Sequence, residues 1–260
     1  MAGGIGAQSF TVAPESTAGF IAQPPSVTTF AAFGTGRPLW PSDITGLILW
    51  LPADQIQGIT SGASLSNWTD SSASASHATQ PSAVSQPVFF INIQNGLSAV
   101  SFGGGSISQF MQSPTSVVDT STLCVVARPS VLTTANERYV GGAAGSSLRL
   151  IKTGAGAGSL TLSGNVISAS LGAVWQSLIG SFVSSAGSSA ATISQSGTTF
   201  FLASTMSGSN VASGLANIGA TSASAQTLLG WIGEVMVFNR NLFEIERASL
   251  ESYMRTKWAI

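Results

Sequence analysis

Charged residues are unusually rare in this sequence. Only 7% of the 260 residues are charged, whereas about 25% is usual for a soluble protein. Nine Lys and Arg residues balance ten Asp and Glu residues and leave a net charge of −1. A protein that binds nucleic acid electrostatically needs clustered basic side chains, and these nine are scattered, so no nucleic-acid partner is expected. Charge-driven disorder is also excluded, because 44% of the residues are hydrophobic.

Thiols and imidazoles are almost absent as well. Cys124 is the only cysteine, which excludes an intramolecular disulfide and a metal site built from several thiolates. Its apolar neighbours Leu123 and Val125 predict a buried thiol within a strand. His77 is the only histidine, so a metal site with two histidines is excluded, and we interpret His77 as a loop residue.

Long hydrophobic runs are missing too. The densest apolar stretch, residues 44–51, is far shorter than the roughly 20 residues that span a bilayer, so no membrane partner is expected. The N-terminal residues Met-Ala-Gly-Gly-Ile-Gly contain neither a basic segment nor an apolar one. We therefore expect no secretory signal.

Residues 1–40 differ in composition from the rest of the chain and are predicted to form an extended N-terminal docking arm. They show no helical or strand periodicity, and their four prolines favour extended backbone. Isolated aromatic side chains on an extended segment can anchor it in pockets of a partner protein. The candidates for this role are Phe10, Phe20, Phe30 and Phe33. The alternative is a tail without a partner, in which the phenylalanine spacing has no meaning.

Residues 41–260 show the pattern of an all-β domain. Short apolar segments such as Leu47–Leu51, Thr122–Ala127 and Gly233–Phe238 recur along the chain. Turn-forming sequences, among them Asn95-Gly96 and Gly141-Gly142, lie between the apolar segments. Many short strands separated by glycine-rich turns predict an antiparallel β-sandwich.

One helix is predicted at the C-terminal end, over about residues 242–257. Asn241 is a suitable N-cap residue. The apolar residues that fall on one face of this helix are Phe243, Leu250, Met254 and Trp258. We interpret the helix as structural, with this face packed on the core.

Three sequence blocks resemble the concanavalin A-like, laminin-G-like jelly-roll domains of phage structural proteins and bacterial surface proteins. The blocks are residues 47–54 with 65–70, residues 77–80 with 86–87 and 95–104, and residues 231–240 with 246–247 and 253–258. The resemblance extends over about residues 41–260 and implies a jelly-roll fold. Two features depart from it: Thr134–Ala225 is poor in charge and bulk, and Gln195-Ser196-Gly197 replaces a common Asn-Gly turn.

No set of catalytic residues is recognisable in the sequence. Glycoside hydrolysis needs two carboxylates close together. The resemblance implies that glucanases of this fold carry theirs two residues apart on a strand. Here that spacing occurs only in Glu244 and Glu246, which are predicted on a helix, where such residues point apart. We therefore expect that the chain is not an enzyme and needs no cofactor.

Binding sites remain open to hypothesis. Laminin-G-like domains sometimes bind calcium, for which the candidate ligands are Asp54, Asp70 and Asp119, although no acidic loop collects them. A structural role at a turn is the alternative for Asp70. A sugar site needs exposed aromatic residues beside polar loops, for which the candidates are Trp40, His77 and Trp231.

The sequence thus leaves several functions open. The first is a non-enzymatic structural protein on the exterior of a phage virion: a capsid decoration, head-fibre or tail-associated protein. It would be anchored to other virion proteins by the arm and be oligomeric in the assembly. The second is an adhesion module that binds glycans of a host surface. The third is a bacterial cell-surface protein, which the absence of a recognisable secretory signal disfavours.

Overall fold

A computed structural model describes residues 39–103, 108–118, 120–130, 137–142, 149–153, 159–162, 165–167, 172–185, 188–196, 198–204, 214–220 and 227–260. In these residues the strands are β1 (Leu47–Pro52), β2 (Asn67–Trp68), β3 (Ala78–Thr79), β4 (Val88–Gln94), β5 (Leu97–Phe102), β6 (Met111–Val117), β7 (Thr122–Pro129), β8 (Glu137–Gly142), β9 (Arg149–Thr153), β10 (Ser159–Leu162), β11 (Asn165–Ile167), β12 (Gln176–Ser185), β13 (Ser188–Gln195), β14 (Thr198–Ser204), β15 (Gly214–Ile218) and β16 (Gly230–Phe238). The helix α1 (Glu244–Trp258) follows the last strand.

The strands form two antiparallel sheets. Sheet 1 has the order β14-β13-β12-β7-β16-β5-β4, with β1 paired to the second half of β16. Sheet 2 has the order β11-β10-β9-β8-β15-β6-β3-β2. The predicted β-sandwich with one C-terminal helix is therefore confirmed, and its architecture is compatible with a jelly roll. The predicted docking arm, with its four phenylalanines, lies outside the described residues.

The main core lies between the two sheets. Alternate residues of the strands point inward, as the period of two along a strand requires. Sheet 1 contributes Leu49, Val125 and Val235, and sheet 2 contributes Trp68 and Ile218, all fully buried. The sequence pattern of short apolar strands is explained by this arrangement, because the strands that form this core bury their inward-facing residues.

The Asn95-Gly96 turn joins β4 to β5, as its sequence predicts. Asn95 has φ 50° and Gly96 has φ 73°, so both residues adopt the left-handed conformation. Two successive residues with positive φ give the turn whose twist matches that of the flanking strands, and Asn-Gly is the preferred sequence for it.

Two central strands of sheet 2, β6 and β8, are not predicted from the sequence. The strand β6 contains Pro114, which occupies a bulge: Leu215 pairs with Ser116 and Ala216 with Ser113, so Pro114 needs no ladder hydrogen bond. The strand β8 ends in Gly141-Gly142, which the sequence assigns to a turn. That assignment is wrong, since Gly141 pairs with Asn217 inside the sheet.

The helix α1 packs on the outer face of sheet 1 and forms a second core with it. Leu250, Met254 and Trp258 of the helix are buried in this core together with Cys124 and Met236 of the sheet. No described helix is long and apolar enough to cross a membrane.

The predicted start of the helix is corrected by two residues. Phe243, not Asn241, is the N-cap, with φ −64° and ψ 157°, and its N–H donates to the Glu246 carboxylate at 2.8 Å. Phe243 is 71% exposed and so is not part of the buried face. The helix starts later than predicted because Leu242 N–H donates a hydrogen bond to Thr122 Oγ1 at 3.2 Å, which keeps this segment extended.

Candidate functional site

A groove of about 460 Å³ opens on the outer face of sheet 1, beside the C-terminal end of α1. Strands β4 and β7 provide one wall, and the segment before β12 provides another. The residues after α1 complete it. The lining residues are Gln94, Arg128, Ala173, Val174, Trp175, Ala259 and Ile260.

Three side chains give the groove its polar character. Arg128 is exposed and is the only side chain in the lining that carries a charge. The Gln94 amide nitrogen donates to the carbonyl oxygen of Trp258 at 2.9 Å, which fixes the amide plane against the end of the helix. Trp175 is 8% exposed, and its Nε1 has no hydrogen-bond partner among the described residues. An unpaired buried N–H is costly, and this one is closed off from solvent.

Apolar surface surrounds these polar groups. Val174 is 61% exposed at the rim. Trp175 stacks on Trp258, with ring centroids 5.5 Å apart and an angle of 22° between the planes. This stacking holds the position of the Trp175 indole, which is the arrangement that a ligand-binding aromatic residue needs.

Trp231 lies next to this groove. It pairs with Arg128 across the β16–β7 ladder, so the two side chains are neighbours on the outer face of sheet 1. Its ring packs edge-on against Phe90 at 5.1 Å between centroids, and it is partly exposed. A half-exposed indole beside a guanidinium and an amide can bind the apolar face of a sugar ring while planar polar groups bind its hydroxyl or carboxylate groups.

The other two glycan candidates have different neighbours. Trp40 is 43% exposed, and its ring lies 5.5 Å from that of Tyr253. His77 accepts a hydrogen bond at Nδ1 from the main-chain N–H of Asp70 at 3.0 Å, which ties it to a loop of sheet 2. The structure therefore places Trp231, among the three, beside the groove.

Two of the three calcium candidates, Asp70 and Asp54, make contacts with other protein groups. Asp70 is 6% exposed and accepts hydrogen bonds from Trp50 N, Ser72 N, Ser72 Oγ and Ser76 N. Asp54 forms an ion pair with Lys257 at 2.8 Å. Asp119 lies outside the described residues. Within the described part of the chain, no three His, Cys, Asp or Glu side chains are close enough to hold a metal ion.

A buried carboxylate that the sequence does not single out lies under α1. Glu234 is completely buried and accepts hydrogen bonds at Oε1 from Trp50 Nε1 at 2.6 Å and from Tyr253 OH at 2.9 Å. Its Oε2 accepts from Trp258 Nε1 at 2.9 Å and lies 3.1 Å from Lys257 Nζ. Burial, followed by the Glu234 charge, raises the pKa of Tyr253 above its usual range, so this phenol stays protonated and donates.

Comparison with known proteins identifies relatives by structure but not by sequence. No protein-family model matches the chain, and no curated protein matches it. A GH54 α-L-arabinofuranosidase soaked with a cyclic sulfate inhibitor superposes with a TM-score of 0.54 and 14% identity, covering 75% of this chain and 51% of the other. The botulinum neurotoxin type G receptor-binding domain superposes with a TM-score of 0.50 and 10% identity, covering 81% and 52%.

These similarities show the fold and correct one expectation. The chain spans about half the length of the solved structures that it matches. The expectation that the chain is not an enzyme is wrong, because an arabinofuranosidase complexed with arabinofuranosyl-α-1,2-xylobiose has a similar fold, with a TM-score of 0.51. Low charge is no reason to exclude such activity, since glycoside hydrolysis requires only two carboxylates and the chain has ten acidic residues.

Proposed function

We propose that this chain is a receptor-binding module with a concanavalin A-like or laminin-G-like jelly roll that binds an acidic glycan in the groove beside Arg128. The observation that carries the proposal is the composition of this groove. Arg128 is the charged side chain of the lining, and its planar guanidinium matches a carboxylate with two parallel hydrogen bonds.

The neighbouring residues support a sugar rather than a simple anion. Val174, the Trp175 indole and the adjacent Trp231 provide apolar surface against which the C–H groups of a pyranose ring can pack. Gln94 adds an amide group whose orientation is fixed by its hydrogen bond to the Trp258 carbonyl oxygen. A sugar that carries a carboxylate satisfies both kinds of group at once.

The structural comparison supports the same class of function. The botulinum domain is named as a receptor-binding domain, and its similarity to this chain is one of fold. A β-sandwich can present a binding surface on one sheet while the other face is closed by the core, and the same fold carries many functions. The proposal for this chain therefore depends on the groove and not on the toxin.

Binding of the full chain to a glycan array tests the proposal, with sialylated, uronic-acid-containing and neutral glycans side by side. We expect saturable binding that is restricted to the acidic glycans. Arg128→Ala should weaken the affinity about 10- to 100-fold, because a hydrogen bond to a charged group is worth roughly 1.5–3 kcal/mol. Arg247→Ala is the matched control, because this arginine lies near the start of α1 and is absent from the lining of the groove.

The aromatic candidates are separated by two further variants. Trp231→Ala should reduce the affinity for the same glycan, whereas Trp40→Ala should not. Loss of binding in Trp40→Ala with full binding in Trp231→Ala would move the site to Trp40 and refute the groove. Equal binding of the wild type and Arg128→Ala would also refute the groove as the binding site. No binding across the array would refute the glycan proposal.

The finer proposal is that the module belongs to the exterior of a phage virion and docks through residues 1–40. It is supported by the sequence of the arm, in which Phe10, Phe20 and Phe30 recur every ten residues among prolines, with Phe33 following. Deletion of residues 1–36 should leave a folded domain that no longer joins the particle. Incorporation of the truncated protein would refute the docking arm, and recovery of the protein from a bacterial surface would favour that alternative.

A further inference from the structure

The side chains of Lys257 and Asp54 are in contact, and Lys257 also contacts the buried Glu234. Lys257 and Asp54 are far apart in the sequence. Lys257 belongs to the last turn of α1, and Asp54 to a short 3-10 turn, Ala53–Gln55, that follows β1. Lys257 Nζ lies 2.8 Å from Asp54 Oδ1 and 3.1 Å from Glu234 Oε2. The amine of Lys257 thus contacts two carboxyl groups, those of Asp54 and Glu234.

The geometry points to a covalent bond: we propose that Lys257 Nζ and Asp54 Cγ condense to an intramolecular isopeptide bond, with Glu234 as the proton-transfer group. Lys257 Nζ lies 2.8 Å from Asp54 Oδ1, which is bonded to Cγ, the carbon that the amine would attack. Asp54 Oδ1 is closed off from solvent, and its polar contact among the described residues is Lys257 Nζ at 2.8 Å.

The surroundings favour condensation over hydrolysis. Glu234 is completely buried, and the side chains of Lys257 and Asp54 are only 15% and 23% exposed. The rings of Tyr253 and Trp258 lie 5.6 and 5.8 Å from Lys257 Nζ and cover it. Two charges held in such a site lose hydration, whereas the neutral amide that replaces them has far less hydration to lose.

The roles of the two carboxylates differ because their hydrogen bonds differ. Three donors, Trp50 Nε1, Tyr253 OH and Trp258 Nε1, hold the Glu234 carboxylate in place beside Lys257 Nζ. At Asp54 Oδ1 the donor among the described residues is the Lys257 amine itself, so Asp54 is the carboxyl group that serves as the electrophile. The arrangement thus assigns Asp54 to bond formation and Glu234 to proton transfer.

The reaction balances without an oxidant or cofactor. The Lys257 ammonium transfers one proton to Asp54, and the neutral amine attacks Cγ to form the C–N bond. Glu234 accepts a second proton from Nζ and delivers it to the leaving oxygen, so that one C–O bond breaks and one water molecule departs. Ammonium and carboxylate thereby become an amide and water, and Glu234 returns to its starting state.

Mass spectrometry of the purified full chain under denaturing conditions tests the proposal. We expect a mass one water molecule below that calculated from the sequence. Digestion with chymotrypsin should release a branched peptide that contains both Asp54 and Lys257. A mass equal to that of the sequence would overturn the proposal, and a branched peptide joining Lys257 to Glu234 would overturn the choice of acceptor.

Variants show whether the loss of water depends on Lys257, Asp54 and Glu234. Lys257→Arg and Asp54→Ala should keep the full calculated mass, whereas Lys152→Arg, which removes the other lysine of the chain, should lose water like the wild type. Glu234→Gln should form the bond at least about 100-fold more slowly, as expected for the loss of a general acid–base group. A folded Glu234→Gln protein, verified by circular dichroism, that is linked as rapidly as the wild type would refute the role of Glu234. If Glu234→Gln does not fold, the comparison of wild type with Lys257→Arg still decides whether the bond forms.

Discussion

The carboxylate of Asp70 accepts a hydrogen bond at 2.8 Å from the main-chain N–H of Trp50, twenty residues earlier in the chain. This contact joins β1 to the loop that precedes β3, and it belongs to a set of four donors that surround the same carboxylate. Two main-chain N–H groups of the loop, those of Ser72 and Ser76, therefore depend on the Asp70 carboxylate for their hydrogen bonds.

Replacement of Asp70 tests this dependence. Asp70→Ala should lower the free energy of unfolding by about 3–4 kcal/mol, because three main-chain N–H groups lose a charged acceptor in a mostly buried site. Urea denaturation followed by tryptophan fluorescence measures the change. Asp43→Ala is the control: its carboxylate accepts from Trp40 N–H in an exposed turn, and its loss should cost below about 1 kcal/mol. Equal effects of the two substitutions would contradict this role of Asp70.

Two glycines with the same backbone conformation provide a test of core packing. Gly219 has φ +86° and Gly62 has φ +87°, but an added Cβ would lie 2.1 Å from the Phe102 ring at Gly219 and would meet no atom within 4 Å at Gly62. Gly62→Ala should cost about 1–2 kcal/mol from the left-handed backbone alone. Gly219→Ala should cost about 1–3 kcal/mol more because of the overlap. Thermal unfolding measures the stability of both variants. Equal melting temperatures would contradict the prediction.

The ion pair between Arg240 and Glu246 should make stability depend on pH. The hydrogen bonds from Arg240, at 2.6 and 2.8 Å, are the main cause that lowers the pKa of Glu246 from its ordinary value. A carboxyl group whose pKa is lower in the folded state stabilises the protein above its unfolded pKa of about 4.3 and loses this contribution as the pH falls through the folded pKa.

Glu246→Gln measures this contribution. At pH 7 the variant should be about 0.5–1 kcal/mol less stable than the wild type, a modest figure because both side chains are partly exposed. The difference should shrink as the pH is lowered toward 3. Glu244→Gln, at an exposed position of the same turn, should show no such convergence in denaturant titrations at the two pH values. A difference independent of pH for Glu246→Gln would exclude the electrostatic origin.

Cys124 should be chemically inert in the folded protein. Its side chain is completely buried, and burial, followed by the charges of Glu251 and Glu234, raises the pKa of the thiol above its usual range. The thiolate is the form that reacts with alkylating agents, so iodoacetamide at pH 8 should leave the native protein unmodified and label one thiol in denaturant. Rapid labelling of the native protein, detected by mass spectrometry, would contradict the predicted burial.

Local sequence signals predicted those elements whose structure is decided by neighbouring residues. Asn95-Gly96 forms its turn because its backbone preference agrees with the twist of the strands that it joins. The strands β6 and β8 were missed because pairing partners distant in sequence outweigh the local signals of Pro114 and of Gly141-Gly142. The helix α1 was predicted from its apolar face, but its first residue depends on Thr122 and Arg240, which the periodicity does not contain.

The candidate sites show the same division. Trp231 could be proposed from sequence as an aromatic residue in a β-domain, yet its position beside Arg128 follows from the register of β16 on β7. Glu234 could not be recognised, because a lone carboxylate in an apolar strand has no local partner. Its donors come from β1 and α1, 184 residues before it and up to 24 residues after it.

The sequence by itself determined the class of the fold and the position of the one described helix, because the spacing of apolar residues and turn glycines fixes which faces must be buried. It also determined that charged residues are sparse. A buried charged group needs a specific partner, because burial removes its hydration. Only the tertiary structure decided which groups meet: Lys257 with Asp54 and Glu234, and Arg128 with Trp231. The physical reason is that contacts between distant segments depend on strand register and helix docking, which are set by the packing of the whole core rather than by any local pattern.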